Sequence, residues 1–316
     1  MKLLFFGSGA FAVPTLADLS AGPHEVALVV TQPDRPRGRG RMPAPTPVKT
    51  YALEHRLPVV SFENVNAADA TAELLAVGPE LGVVIAYGQK IGPALLDAVP
   101  GGMINLHASL LPRHRGAAPV NRAILAGDTT TGVTVFRLCE RMDAGPVLAK
   151  RELTIDPAET ASELHDRLAA LGPETVRAAL DCFSTTLDPP GNPQDESLAT
   201  PAGKLSKADA RLDFNQPAEM IRHQVHGLWS WPGATCRFRA ADGKRDEAVT
   251  LARVAVVDEA ATEPAGTIRS DLTLATGGGA LRVVELKPSG GRLMDWSAYV
   301  NGRHVRPGDR MISMDA

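Results

Sequence analysis

The sequence predicts an α/β protein in two parts: a Rossmann-like, doubly wound and mostly parallel sheet, followed by a smaller C-terminal β-barrel of OB-like kind. Three observations carry this. Short apolar runs alternate with helical segments through the first two hundred residues, as in a parallel sheet covered by helices on both faces. The run Leu187-Asp-Pro-Pro-Gly-Asn-Pro-Gln194 has linker composition. Beyond about residue 205 the β-like runs are brief and separated by Gly-rich turns, which suits a small barrel or sandwich. At 316 residues the chain can bury two cores. The expected division is 1–187, a linker over 188–204, and 205–316.

In order, Lys2–Phe6, Val26–Thr31, Pro58–Ser61, Leu81–Ala86 and Met103–His107 read as strands. Phe11–Leu19, Pro47–His55 and Ala67–Val77 read as the helices between them, the last with Asn66 as N-cap and Gly78-Pro79 as its stop. Gly132–Cys139 and Pro146–Ile155 read as two further strands joined at an Asp143 turn. Thr160–Leu171 and Glu174–Phe183 read as two helices broken at Gly172-Pro173. A helix around Ala218–Val225 and strands at Ala248–Val257 and Ala280–Leu286 complete the reading.

Composition narrows the function. Hydrophobic residues at 44% and charged residues at 22% are ordinary for a globular protein, and aromatics at 4% are too few for broad single-strand stacking platforms. Gly7-Ser-Gly9 interrupts the N-terminal apolar run, and no later stretch is long and apolar enough to span a bilayer. Cys139, Cys182 and Cys236 are scattered and odd in number, which fits neither a disulfide framework nor a zinc site, so a cytoplasmic protein with no metal is expected. The net charge of −3 is uneven: residues 1–203 carry 17 basic against 22 acidic residues, and residues 204–316 carry 16 against 14.

Gly7-Ser-Gly9-Ala-Phe-Ala12 matches a permissive dinucleotide fingerprint, and Asp34 falls near the end of the second strand. Flanking prolines and arginines make Asp34 a poor ribose partner, so a tight strand-to-helix turn is the better reading. Arg35, Arg37, Arg39 and Arg41 stand on a segment rich in Pro and Gly, and residues 33–49 carry five positive residues and one negative. Arginines on such a segment suit phosphate contact. Asn105 and His107 are two apart at a strand end, so they face the same space, with Leu106 directed the other way. With Asp143 on its turn, they form an amide, imidazole and carboxylate set suited to acyl transfer.

The run from Ile104 to Ile124, INLHASLLPRHRGAAPVNRAI, continuing into Thr131-Gly-Val-Thr134 and Arg141-Met-Asp-Ala-Gly-Pro146, resembles the folate-dependent formyltransferase family. Val13-Pro14, Val30–Pro36 with Gly38-Arg-Gly40, Ala86-Tyr-Gly88, Ser109-Leu-Leu-Pro112 and Lys204-Leu-Ser-Lys207 narrow the resemblance to its methionyl-tRNA branch. The resemblance implies formyl transfer from 10-formyltetrahydrofolate to the α-amino group of methionyl initiator tRNA by direct amine attack through an oxyanion. It implies Asn105, His107 and Asp143 as the catalytic set. Ser109, Leu110, Leu111 and Pro112 would line the folate site, with Ala86, Tyr87 and Gly88 as backbone around the pterin. Arg35, Arg37, Arg39, Arg41, Lys204 and Lys207 would contact tRNA. No membrane partner is implied, and a monomer is expected. Val120-Asn121, Ala144 to Pro146 and Pro201 to Gly203 depart from the usual family wording, outside the catalytic positions.

Overall fold

A computed structural model of the chain describes residues 1–37 and 42–314, Arg37 by its main chain only. Two compact units are present: Met1–Pro119, Thr131–Leu153 and His165–Ala202 in the first, and Val120–Thr130, Thr154–Leu164 and Gly203 onward in the second.

The first unit is built on a Rossmann-like, mostly parallel seven-stranded sheet. Its strands are Lys2–Gly7, Glu25–Thr31, Val59–Ser61, Leu81–Ile85, Met103–His107, Thr130–Arg137 and Val147–Thr154. Lys2–Gly7 lies between Glu25–Thr31 and Leu81–Ile85, parallel to both. Strand order therefore reverses beside it, and a doubly wound sheet opens its ligand crevice at the carboxyl ends around such a switch point. Met103–His107 is parallel to Leu81–Ile85 and antiparallel to Thr130–Arg137. Leu3, Leu4, Phe5 and Phe6, whose side chains alternate between the two faces, are all fully buried, as a sheet covered on both faces requires.

Two local expectations are corrected. Asn66 is not the N-cap of helix Ala68–Ala76, where Ala67 takes that position. Its carboxamide instead accepts from the Gly92 N–H at 2.6 Å and donates to the Lys90 carbonyl at 2.9 Å. Residues 161–181 form one helix with Pro173 inside it, not two helices broken at Gly172-Pro173. An interior proline costs about 3 kcal/mol, and the burial of Leu168, Val176 and Leu180 outweighs it. Gly172 is needed there for close approach, since a Cβ would lie 2.6 Å from Thr15 Oγ1 and 2.8 Å from a Leu106 methyl.

The second unit carries a nearly closed antiparallel barrel-like sheet. Asp246–Val257 pairs with Ala234–Arg239 on one side and Ala280–Pro288 on the other. Thr267 bridges Arg310 on one edge strand, and Ile268 bridges Leu274 on the other, which draws the edges together. Phe238, Leu251, Leu286 and Tyr299 fill the core under helix Ala218–Leu228.

That helix buries His226, whose Nε2 accepts from the Val254 N–H at 3.1 Å and which is 1% exposed. Burial pushes its pKa down to about 4. The unfolded chain takes this proton near pH 6.5 and the folded chain resists it, so the stabilisation is complete above pH 6.5 and is lost as pH falls toward 4. The loss amounts to about 3 kcal/mol at most. Urea unfolding at pH 7 and pH 4.5 is expected to show this part of the acid destabilisation in the wild type and its removal in His226→Gln.

Candidate active site

The carboxyl ends of strands Lys2–Gly7, Leu81–Ile85 and Met103–His107 meet in the first unit. Ser8 Oγ donates to the Tyr87 carbonyl at 2.9 Å, and the Ser8 and Gly9 N–H groups both bond the Ala86 carbonyl. Those amides are therefore committed to the fold instead of facing a pyrophosphate, and Asp34 is held by Lys49 at 2.8 Å. The 7–9 turn is thus a tight strand-to-helix connection.

Asn105 pairs with Val84 on one side and Phe136 on the other, which sets its half-buried side chain at the strand's carboxyl end. Among the described residues its carboxamide forms no hydrogen bond, while Leu106 between the two polar residues is 3% exposed in the core. His107 is 7% exposed and its Nε2 lies 2.8 Å from the His114 carbonyl. A carbonyl only accepts, so Nε2 carries the proton and the lone pair of the neutral ring sits on Nδ1. Nδ1 faces Asp143 Oδ2 at 3.8 Å, beyond hydrogen-bond range. Burial pushes the His107 pKa below its ordinary value, and outweighs the upward pull of Asp143 and of the His114 carbonyl. The ring is therefore neutral near pH 7.

Asp143 sits on its turn at φ 51°, a left-handed conformation that Asp tolerates better than most residues. Its Oδ2 also accepts from the Gly116 N–H at 2.8 Å. Asn105 and His107 thus share one side of the strand end, and Asp143 stands beside His107 there.

Of the residues expected to line the folate site, Ser109 is fully buried and its hydroxyl donates to the Arg113 carbonyl at 2.6 Å. Thr134 Oγ1 accepts from the Leu111 N–H and donates to the Ser109 carbonyl, which ties 109–111 to the strand beside His107. Leu110 and Pro112 are half-buried and Leu111 is buried. Ala86 and Gly88 are exposed and hold positive φ, whereas the Tyr87 side chain turns into the core against Phe6. Tyr87 therefore offers the cleft only main chain.

Arg35–Arg37 pairs antiparallel with Met42–Ala44. Arg35 is exposed and paired with Glu63 at 2.5 Å, and Arg39 and Arg41 lie outside the described residues. Lys204 and Lys207 are exposed in the second unit.

Sequence reasoning missed the residues that hold the cleft together. Gln194, from the stretch read as linker, donates through Nε2 to the Asp143 and Gly145 carbonyls, and Thr200 Oγ1 accepts from the His114 N–H. Polar residues in a Pro/Gly-rich stretch carry no local signal of such contacts. Among the described residues no group of three or more His, Cys, Asp or Glu is placed to hold a metal ion.

Comparison with known proteins defines the class first. The family model "Formyl transferase" matches residues 1–180 and "Formyl transferase, C-terminal domain" matches 204–304, so the cleft belongs to a formyl-transferring enzyme. The methionyl-tRNA formyltransferase of Heliobacterium modesticaldum is 41% identical over 98% of this chain and 99% of its own. That of Methylococcus capsulatus is 41% identical over the same shares. The chain belongs to the methionyl-tRNA formyltransferase family. Two solved structures share the fold. HypX from Aquifex aeolicus in complex with tetrahydrofolic acid matches at TM-score 0.63 and 19% identity, covering 95% of this chain, which spans about half (47%) of the length of HypX. WlaRD, a sugar 3N-formyl transferase, matches at TM-score 0.62 and 13% identity over 89% of this chain and 96% of its own.

Proposed function

We propose that the chain transfers the formyl group of 10-formyltetrahydrofolate to the α-amino group of methionyl initiator tRNA. The observation that carries this reading is the convergence of an unbonded Asn105 carboxamide, a neutral His107 and Asp143 in one cleft, in a chain about 40% identical to methionyl-tRNA formyltransferases. Residues 1–187 would form the catalytic part, 188–204 the connection and 205–316 the part that contacts tRNA. Action on a charged tRNA would place the chain in the cytoplasm. Among the described residues no helix is long and apolar enough to cross a membrane.

The cleft suits the folate cosubstrate. Main chain at the exposed Gly88 offers the polar edge a pterin needs, and half-buried Leu110 offers an apolar wall. The acceptor must present a neutral amine. An α-amino group has a pKa of roughly 7.7–8.0, and an adjacent ester lowers it, so the reactive form is present near neutrality.

As the amine attacks the formyl carbon, the Asn105 N–H donates to the oxygen that gains charge. His107 Nδ1 holds the free lone pair, takes the proton the amine loses, and returns it to the folate N10 as collapse of the tetrahedral intermediate breaks the carbon–N10 bond and releases tetrahydrofolate. At 3.8 Å, Nδ1 and the Asp143 carboxylate are two acceptors with no proton between them, and protonation of His107 turns that contact into an ion pair. Asp143 thus favours the charged ring only once the reaction has delivered the proton, since burial keeps the resting ring neutral.

The test is transfer of labelled formyl from 10-formyltetrahydrofolate to charged initiator tRNA, with uncharged tRNA and free methionine as controls. Label on the charged tRNA alone supports the reading. Release of formate without transfer points to hydrolysis, and inertness points to another amine acceptor such as an amino sugar. Arg35, Arg37, Arg39, Arg41, Lys204 and Lys207 supply phosphate contacts in this reading. Neutralising Arg37, Arg39 and Arg41 together is expected to weaken tRNA binding and to lower the slope of log affinity against log salt by about 2–3. An unchanged slope would show that the segment is solvated surface.

A further inference from the structure

The stretch from Asn192 to Ala202 is bonded to both halves of the catalytic cleft. Asn192 exchanges two main-chain hydrogen bonds with Val147 at 2.8 Å each, just past the Asp143 turn. Gln194 Nε2 then donates to the Asp143 carbonyl at 2.9 Å and to the Gly145 carbonyl at 2.8 Å. Its Oε1 accepts from Arg115 Nε at 3.1 Å and Nη2 at 2.7 Å. The amide orientation is decided by chemistry, because carbonyls only accept and a guanidinium only donates. Arg115 is itself held by the Glu196 carboxylate through two bonds of 3.0 Å.

The same stretch then turns to the other side of the cleft. Thr200 Oγ1 accepts from the His114 N–H at 2.8 Å, and its carbonyl accepts from the Arg115 N–H at 2.8 Å. Pro201 and Ala202 pair in parallel with Arg115 and Gly116. His114 provides the carbonyl that fixes the proton on His107 Nε2, and Gly116 provides the N–H that holds Asp143 Oδ2. Every contact falls within the first compact unit.

We propose that residues 192–202 are a positioning strap of the active site, in which Gln194 sets the Asp143 turn and Thr200 sets the His107 tautomer through His114. The residues act through others and touch no substrate. The inference rests on the reading that His107 and Asp143 are catalytic. Its physical basis is that Asp143 holds a left-handed conformation and His107 has two tautomers, so neither is placed by its own strand or turn alone.

The experiment measures kcat, both KM values and the pH profile of kcat for the full chain carrying Gln194→Ala, Thr200→Val or Thr200→Ser. Gln194→Ala is expected to lower kcat by about 100-fold, to leave both KM values near normal, and to cost nothing further when added to Asp143→Ala. Thr200→Val is expected to displace the acidic limb of the kcat profile, and Thr200→Ser, which keeps the hydroxyl, to restore it. Variants that only lose thermal stability, with kcat and pH profile unchanged, would overturn the strap. So would a Gln194→Ala penalty that persists in full without the Asp143 carboxylate. An inert wild type would overturn the functional reading and the strap with it, whereas an active wild type with unaffected variants would overturn the strap alone.

Discussion

Asn105→Ala is expected to lower turnover by about 100- to 1,000-fold while leaving the melting temperature within a degree or two of wild type. The first half follows from the role of a preorganised donor to a developing oxyanion, which is worth roughly 3–4 kcal/mol in such sites. The second half follows from the structure. The Asn105 carboxamide bonds no other described residue and its side chain is only half-buried, so its loss leaves no orphaned partner and little cavity. Calorimetry together with single-turnover formyl transfer checks both halves. Near-normal turnover would remove Asn105 from the reaction. Loss of turnover together with loss of folding would make it a structural residue. His107→Ala and Asp143→Ala are expected to be comparably inactive, and both should cost stability as well, since they leave the His114 carbonyl and the Gly116 N–H without their partners.

Gly145→Ala is expected to destabilise the protein by about 3 kcal/mol or more and to abolish activity with it. A Cβ at this position would lie 1.8 Å from the Arg137 carbonyl oxygen and 3.0 Å from its carbonyl carbon. Both atoms are main chain of strand Thr130–Arg137, and the Arg137 N–H bonds the Pro146 carbonyl at 3.0 Å across the same turn. No flexible side chain can yield, so the turn itself must move, and it carries Asp143. Gly203→Ala is the matched control, because a Cβ there meets nothing within 4 Å. The denaturant midpoint is expected to fall sharply in the first variant and to stay in place in the second, and equal midpoints would show that the turn can relax.

The shared placement of Asn105 and His107 was legible because it follows from short-range geometry. Met103–His107 was read as a strand with the boundaries observed, and a period of two puts Asn105 and His107 on one side whatever the strand packs against. The doubly wound first part and the barrel-like second part were legible from alternation and from strand length for the same reason. Helix 161–181 was misread because proline was weighed against local propensity, when the opposing term was burial supplied by distant residues. Asn66 was misread likewise, since a cap and a long-range acceptor look alike in sequence and the Gly92 N–H lies 26 residues away.

By itself the sequence determined which side chains share the strand end, which family the chain resembles and where charge accumulates, all properties of neighbours along the chain. Only the tertiary structure decided that Nε2 of His107 carries the proton, that Asp143 Oδ2 stands 3.8 Å from its Nδ1, and that Gln194 and Thr200 bond the Asp143 carbonyl and the His114 N–H. The reason is physical: a tautomer, a pKa and the hydrogen bonds of a proline-rich stretch depend on burial and on partners tens of residues away, and these come together only when the chain has folded.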